Sequence, residues 1–426
     1  MTTPFATLRQ GVTRNLGTWL QFSTTTLITG LDAYIISTSL AQFGDDYFNN
    51  KWWVLITSGN NIGVKRLVKD YTAGSYRLEV YGANLLAETV QVTCELHKYD
   101  PDDIKAAINK ARLYPGLHVP LVDETLLGNN ALPNAHFEDW AVATYPDYWR
   151  MSVVTGAKET TIIRGGKASF KITRAGVDGY GYISQAEWPR LLDLQGETVT
   201  FSTWLLASLA NQAYIEIYTK KADGTTQTKT SAAHTGGGES ELIEIEDFTL
   251  NDDLTDIQFR VVIKNSDGSV YFDNCRVNGI PVYDYLLPST VKSLYQVEVQ
   301  ASGDCDDLGM SAPSTKRYDW SVLKEADKRL LHFEKAVSDK LKIHLIATGY
   351  LSLLSADTDT VEIDAPYTDK LELYAAAFIA TNLGSIMSTQ EAGRYKALAA
   401  ELFARARAAP SMMQPAAILD LSRVMV

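Results

Sequence analysis

The chain has 426 residues, too many for one hydrophobic core and enough for two or three domains. Hydrophobic residues make up 46% and charged residues 21%, a composition typical of globular proteins and not of disordered ones. The formal net charge of −12 argues against a general nucleic-acid-binding protein, because an acidic surface repels phosphate groups.

The cysteines and the start of the chain argue against further classes. Cys94, Cys275 and Cys305 are far apart and form no CxxC pair, so we expect no zinc ribbon, redox motif or disulfide framework. The first residues lack a basic start followed by an apolar core, so we expect no signal peptide and synthesis in the cytoplasm. Since no run of about 20 apolar residues occurs, we expect no membrane span.

The N-terminal part predicts helices followed by a small sheet. Apolar residues at helical spacing predict a first helix that ends at Gly17: Phe5, Leu8, Val12 and Leu16. A second helix is predicted over residues 31–43. Strand-like segments then predict an antiparallel sheet or barrel: 52–57, 64–68, 76–81 and 90–96. Asp100 and Pro101 predict the N-cap and first residue of another helix.

The segment from about residue 132 to 277 is rich in strands and carries no helical pattern. Its alternating segments are 199–205, 214–218, 242–245, 257–263 and 270–272. Turn sequences separate them at 222–224, 236–238 and 266–268. Short strands at this spacing are typical of a β-sandwich or jelly roll.

Strands and two closing helices are predicted after Gly279. The strand-like segments are 318–320, 329–333 and 341–346. Ser388 and Glu391 have the spacing of a capping box and predict the start of the last helix. Small residues let helices approach closely, either within one chain or between neighbouring subunits: Ala375, Ala376, Ala377, Ala399, Ala400, Ala404, Ala406 and Ala408.

Catalytic motifs are missing from the sequence. It has no nucleophile elbow, phosphate-binding loop, HExxH or dinucleotide fingerprint, and its six histidines lack metal-ligand spacing. We therefore expect a protein that is not an enzyme.

Two acids flank the strand-rich segment, Glu138 near its start and Asp273 near its end. First and last strands are commonly neighbours in sandwiches, and two carboxylates with backbone carbonyls would suit a structural Ca²⁺. The alternative is a pair of ordinary edge acids.

The same segment is rich in Trp and Tyr, whose ring faces can stack on sugars. Trp204 and Tyr218 alternate as core residues would. Candidates for exposed, carbohydrate-binding rings lie in or beside irregular stretches: Tyr148, Tyr180, Tyr182 and Trp188.

This segment resembles the carbohydrate-binding modules with a galactose-binding-like jelly roll. The resemblance rests on residues 134–140, 146–149 and 271–274 and covers about a third of the chain. It implies a jelly-roll fold and, less directly, sugar binding. In that family, acids at the positions of Glu138 and Asp273 commonly help to hold a structural Ca²⁺.

The remainder resembles the head-to-tail connectors of tailed bacteriophages, adaptors that dock under the portal ring. The resemblance rests on residues 5–9, 102–111, 357–363, 373–378 and 394–398. It implies a homo-oligomeric ring, a dodecamer, in the virion neck. Its partners would be the portal protein and tail, nozzle or tailspike proteins, with genomic DNA passing through without specific binding.

Together these patterns predict an α+β multidomain protein. Residues 1–131 and 280–426 would form a helical and β-barrel adaptor host, and residues 132–279 an inserted antiparallel β-sandwich of jelly-roll type. The predicted function is a structural virion protein that joins head to tail, with no cofactor required. The alternatives are a glycan-binding adhesion protein and a glycan-active enzyme with a binding module.

Overall fold

The computed structural model describes residues 2–30, 33–114, 116–300, 314–339, 341–364, 367–387 and 389–411. Cys305 and Ser388 lie outside the described residues. Contacts divide the chain into two compact units, the first formed by Met1–Val119 with Gly349–Gln414 and the second by Pro120–Thr348. Both predicted domain borders, at 131/132 and 279/280, fall within the second unit, and the three-part division stays a prediction.

The first unit begins with a helix, a set of strands and a second helix. In chain order these elements are β1 (Thr3–Pro4), α1 (Phe5–Asn15), β2 (Trp19–Ser23), β3 (Tyr34–Ile36), a 3-10 turn (Thr38–Leu40), β4 (Trp53–Ile56), β5 (Lys65–Thr72), β6 (Arg77–Val80), β7 (Thr93–His97) and α2 (Pro101–Ala111). The Asp100 side chain accepts a hydrogen bond from the Asp102 amide at 2.9 Å, so the predicted N-cap is confirmed.

The predicted helix over residues 31–43 is wrong. Tyr34 pairs with Glu79 and Ile36 with Arg77, so residues 34–36 form a strand at the edge of a sheet, and residues 38–40 form a 3-10 turn. Its apolar residues suit helix or strand equally, and pairing with β6 decides between them.

Six strands form one antiparallel sheet in the order β2-β7-β4-β5-β6-β3. Its two edges come together: the Thr25 amide donates to the Ile36 carbonyl at 2.9 Å, and the Ser37 hydroxyl donates to the Ser23 carbonyl at 2.6 Å. Phe22, Phe48, Tyr71 and other buried side chains fill the interior.

The second unit consists mainly of strands. In chain order they are β8 (Val119–Leu127), β9 (Arg150–Ser152), β10 (Thr155–Glu159), β11 (Ser169–Arg174), β12 (Gly179–Ser184), β13 (Thr198–Leu206), β14 (Ala213–Lys221), β15 (Thr226–Thr230), β16 (Ser240–Thr249), β17 (Leu254–Ile263), β18 (Gly268–Asn278), β19 (Asp284–Leu286), β20 (Val291–Gln300), β21 (Ser314–Arg317), β22 (Trp320–Glu325), β23 (Lys328–Phe333) and β24 (Lys342–Gly349). A 3-10 helix (Pro189–Leu194) lies between β12 and β13.

Ten of these strands form the predicted β-sandwich. Sheet I has the order β10-β11-β18-β13-β16 and sheet II the order β15-β14-β17-β12-β9, with antiparallel pairing in both. Their inner faces share a core that includes Phe137, Trp149, Phe170, Phe201 and Phe259. The outer faces of the two sheets therefore lie on opposite sides of the sandwich.

The sandwich begins and ends at the same place. Asn130 donates to the Cys275 carbonyl at 3.0 Å and accepts from the Val277 amide at 2.9 Å. The Ala131 amide also donates to the Val277 carbonyl at 2.9 Å. The strands after β18, together with β8, form two smaller sheets, β19-β23-β22 and β21-β20-β24-β8, with a core of their own.

The chain returns to the first unit with β25 (Thr360–Val361), α3 (Tyr367–Ile386) and α4 (Thr389–Ala408). Helices α1, α2, α3 and α4 share one core. Ala375, Ala376, Ala377, Ala399 and Ala406 are buried in it, so contacts within the chain account for these small residues. Gly11 of α1 leaves room for the Glu372 carboxyl group of α3, since a Cβ atom there would come 2.0 Å from its carboxyl carbon.

Candidate functional site

Strand β12 places two of the four predicted aromatic residues on the outer face of sheet II. Its residues alternate, so that Gly181 and Ile183 face the core while Tyr180 and Tyr182 face outward and stay partly exposed. Position 181 requires glycine, because a Cβ atom there would come 2.6 Å from the Phe170 ring. The two tyrosine rings meet edge to face, with centroids 5.6 Å apart.

The neighbouring strands extend this outward row. Tyr182 lies opposite Arg260 on β17, and Arg260 lies opposite Glu216 on β14. Tyr214 and Tyr218 point to the same side as Glu216, because residues at every second position of a strand share a face. We call this surface the tyrosine face: Tyr180, Tyr182, Tyr214, Tyr218, Glu216, Gln258 and Arg260.

Arg260 holds the centre of the tyrosine face. Its guanidinium carbon lies 4.5 Å from the ring centroid of Tyr180 and 4.2 Å from that of Tyr218. The same group donates to Glu216 at 2.6 Å and to Gln258 at 2.8 Å. The cation–π contacts hold both rings against the guanidinium, and the hydrogen bonds place the polar groups of Glu216 and Gln258 beside them.

Tyr214 stands at the end of the face near Lys264, whose Nζ lies 4.2 Å from the ring centroid. Burial raises the pKa of the Tyr214 hydroxyl, and the charge of Glu216 raises it further. This hydroxyl therefore stays protonated at neutral pH and can both donate and accept hydrogen bonds.

The other two predicted aromatics, Tyr148 and Trp188, do not lie on an open face. The Trp188 side chain is only 5% exposed, so its interpretation as an exposed ring is wrong. The ring centroids of Tyr148 and Trp188 are 5.7 Å apart. Lys328 Nζ lies 5.1 Å from the Tyr148 centroid and 4.8 Å from the Trp188 centroid. Strand β23 supplies this lysine, and sequence spacing gives no sign of the contact.

Sequence reasoning missed Tyr214, Tyr218 and Arg260. Tyr218 was interpreted as a core residue, but Ile215 and Ile217 are fully buried and Tyr218 is only partly so. The alternation of tyrosine and isoleucine on β14 is the signal that could have identified them.

The carboxylates of Glu138 and Asp273 hold the loop between β10 and β11 from two sides. Asp273 Oδ2 accepts hydrogen bonds from the Arg164 amide at 2.6 Å and the Gly165 amide at 3.0 Å. Glu138 Oε1 accepts from the Lys167 amide at 2.5 Å and the Ala168 amide at 3.2 Å.

Burial opposes the ionisation of both of these carboxyl groups. Burial raises the pKa of Asp273 to about 7 against the opposing effect of its amide donors, and the charge of Glu138 adds to the rise. Burial likewise raises the pKa of Glu138. A cation would relieve this repulsion, and carboxylate oxygens are ligands that Ca²⁺ prefers.

The donors that face these carboxylates are amide N–H groups of residues 164–168. Within the described residues, no three His, Cys, Asp or Glu side chains are placed to hold a metal ion together. Calcium at Glu138 and Asp273 thus stays a prediction. None of the helices in the described ranges has the length and hydropathy needed to cross a bilayer.

No protein-family model matches the chain, and no curated protein matches it. Solved structures do align with part of it. The C-terminal family 22 carbohydrate-binding module of Clostridium thermocellum Xyn10B aligns with 36% of this chain and 95% of its own, at 12% identity and a TM-score of 0.30. TmCBM61 in complex with β-1,4-galactotriose aligns with 35% of this chain and 99% of its own, at 16% identity and a TM-score of 0.24.

A viral protein is also among these neighbours. The enzymatically active domain of bacteriophage CBA120 tailspike protein 4 aligns with 36% of this chain, at 12% identity and a TM-score of 0.28. This chain covers 22% of that domain. Structural neighbours of the chain are thus carbohydrate-binding modules and a phage tailspike domain, whereas the connector identity stays a prediction.

Proposed function

We propose that the sandwich binds glycan chains on the tyrosine face. The observation that carries this proposal is the set of four partly exposed tyrosines around the Arg260–Glu216 ion pair. Ring faces provide apolar contact for sugar C–H groups, and guanidinium, carboxylate, amide and hydroxyl groups bind sugar hydroxyls.

The position of these groups favours an extended glycan over a small molecule. The face lies on neighbouring strands β12, β17 and β14 and points away from the core, so a ligand lies along it. With only a few stacked rings, one copy of the chain would bind a glycan weakly. Useful adhesion would come from several copies that bind together.

The test is binding of the full chain to a glycan array, followed by calorimetric titration with the best oligosaccharide. Tyr182→Ala and Tyr218→Ala should each weaken binding about tenfold, since each removes one stacking ring. The control is Tyr318→Ala, which removes a tyrosine that is 51% exposed and lies outside the tyrosine face. Equal affinity of all three variants and the parent would contradict the proposal.

The proposal contains no catalytic step. Incubation of the same oligosaccharides with the chain should therefore release no new reducing ends. Time-dependent release at the rate of a glycan hydrolase would show that the expectation of a non-enzymatic protein is wrong.

A second candidate function is assembly as a connector ring in the virion neck, between portal and tail. One observation favours it: exposed aliphatic side chains cluster on three linked loops at one end of the six-stranded sheet. They are Leu27, Ile62, Leu86 and Val90, with exposed fractions between 45% and 62%. Exposed apolar side chains on neighbouring loops are what a protein interface would use.

Hydrogen bonds hold these three loops in place. The buried Glu88 carboxylate accepts from the amides of Asn60 and Asn61 at 2.9 Å each. The Asn61 side chain donates to the Leu86 carbonyl at 2.8 Å, and the Glu88 amide donates to the Ile28 carbonyl at 2.8 Å.

Mass photometry and electron microscopy of the chain, alone and with a portal ring, test the connector role. We expect a closed ring that Ile62→Asp and Leu86→Asp disperse, while Tyr318→Asp leaves it intact. A monomer that does not bind the portal would exclude this role and leave the glycan proposal standing.

A further inference from the structure

The outer face of sheet I contains a groove lined by polar side chains. Strand pairing places Ser202 between Glu244 and Arg276, and Trp204 between Leu242 and Asp273. Thr200, Ser202, Trp204, Glu244 and Arg276 are among the residues around a hollow of about 250 Å³.

The floor of this hollow is buried although it belongs to an outward face. Arg276 and Asn274 are each 6% exposed and Ser202 is 8% exposed. Asp339 stands at one wall, where it accepts a hydrogen bond from Asn278 at 2.7 Å. Ligand sites are concave and use a few polar groups to orient the ligand. Buried polar groups at the floor of a recess have this placement, unlike polar groups on a flat, solvent-exposed sheet face.

An aromatic ring forms another wall. Trp204 lines this hollow and also a neighbouring one of about 130 Å³. The Arg164 guanidinium carbon lies 3.9 Å from the indole centroid, and Arg164 is among the residues around the smaller hollow but not among those around the larger one. The cation therefore holds the indole from the side of the smaller hollow, and the same indole also borders the larger one.

We propose that this groove is a second carbohydrate site, which takes one sugar unit of a neutral glycan. The hydroxyl and amide groups of Ser202, Asn274 and Asn278 can each donate and accept, as sugar hydroxyls require. Glu244 supplies acceptors at the rim and Arg276 supplies donors at the floor. The volume lies just below the range of about 300–1,000 Å³ that is usual for small-molecule sites, which suits a single ring.

The charges favour a neutral sugar over a cationic peptide. Glu244, Glu246 and Asp339 would attract a lysine side chain, but Arg276 occupies the floor and repels a cation that enters deeply. The proposal goes beyond the tyrosine face because the groove lies on the other sheet, on the opposite side of the sandwich. One molecule could then hold two glycan chains at once.

Calorimetric titration of four full-length proteins tests the proposal with neutral oligosaccharides chosen on the glycan array. They are the parent chain, a tyrosine-face double variant (Tyr182→Ala with Tyr218→Ala), the groove variant Trp204→Ala, and the triple variant. We expect two sites per chain in the parent. The double variant should keep one site, the groove. In the triple variant, the affinity of that site should fall about tenfold or more.

Two further variants separate binding from folding. Glu244→Gln changes an exposed rim residue, so it should weaken groove binding several-fold at unchanged melting temperature. Trp204→Phe keeps a ring and should restore much of the binding that Trp204→Ala loses.

The outcomes distinguish this proposal from the first one. Loss of all binding in the tyrosine-face double variant overturns the groove site and leaves the proposed function intact. Full binding in that variant, abolished by Trp204→Ala, supports the groove and overturns the tyrosine face. Binding of N-acetyl-lysinamide to the groove in place of any oligosaccharide overturns the sugar assignment, and no binding to either probe overturns both sites.

Discussion

The guanidinium of Arg9 donates through Nε to the Glu95 carboxylate at 3.0 Å, and both side chains are 1% exposed. This ion pair joins helix α1 to strand β7 inside the first unit. Gln10 donates to the other carboxylate oxygen at 2.8 Å, and His97 contacts Glu95 at 2.9 Å. A second bond runs from Arg9 Nη1 to Asp357 at 2.6 Å.

Arg9→Met should lower the free energy of unfolding by about 3–5 kcal/mol, because it leaves the Glu95 charge buried without its cation. Urea denaturation at pH 7 measures this. Arg14→Met is the matched control, since Arg14 is an exposed arginine of the same helix, and it should cost less than about 1 kcal/mol. Equal costs for the two variants would show that the buried pair adds no stability.

Glu372→Gln should stabilise the protein at pH 8 and change little at pH 4. Burial raises the pKa of Glu372 to about 7, and the charge of Asp369 contributes. The unfolded carboxyl ionises near pH 4.3, so the penalty on the folded state grows as pH rises from about 4 to about 7. Melting temperatures across this range check the prediction, and a difference that does not vary with pH would contradict it.

Calcium should raise the melting temperature if Glu138 and Asp273 hold an ion, since a ligand bound only to the folded state stabilises it. The rise should disappear on addition of a chelator and in the double variant Glu138→Gln with Asp273→Asn. The same melting temperature with calcium and with chelator in the parent would leave the two acids as amide-bonded loop anchors.

Replacement of residues 134–278 by a short Gly/Ser bridge should leave the first unit folded, because the chain enters and leaves the sandwich side by side. Circular dichroism and cooperative unfolding check this. Deletion of 268–278 alone is the contrasting variant: it removes β18 from between β11 and β13 in sheet I, and we expect an aggregated product. Loss of structure in both variants would show that the first unit depends on the sandwich.

Local signals predicted the elements well where they were strong. The Asp100 cap fixed the start of α2, and the apolar spacing from Phe5 predicted α1. The helix predicted over 31–43 is wrong because its apolar residues suit either structure, and the partner strand β6 (Arg77–Val80) lies far away in sequence. Only tertiary pairing decides such a case.

The candidate site could be predicted only in part from the sequence, for a related reason. Alternation on a strand separates two faces but does not say which one meets the core. The sequence predicts exposed rings at Tyr180, Tyr182 and Trp188 because they lie in or beside irregular stretches. Tyr180 and Tyr182 are partly exposed but belong to strand β12, and Trp188 is buried with a lysine from β23 over its ring. Contacts between distant segments, such as Lys328 on Trp188, leave no trace in local periodicity.

The paired hydrogen bonds between Asn130, Ala131 and Val277 have a mechanical consequence. When the chain is pulled between residue 129 and residue 282, these hydrogen bonds carry the tension. The ten sandwich strands lie between the two bonded segments in sequence and are not under load. The sandwich would stretch only after the junction breaks. Under the proposed function, a force applied through a bound glycan would reach the rest of the chain through this junction, and force spectroscopy would register the junction as a separate, earlier rupture.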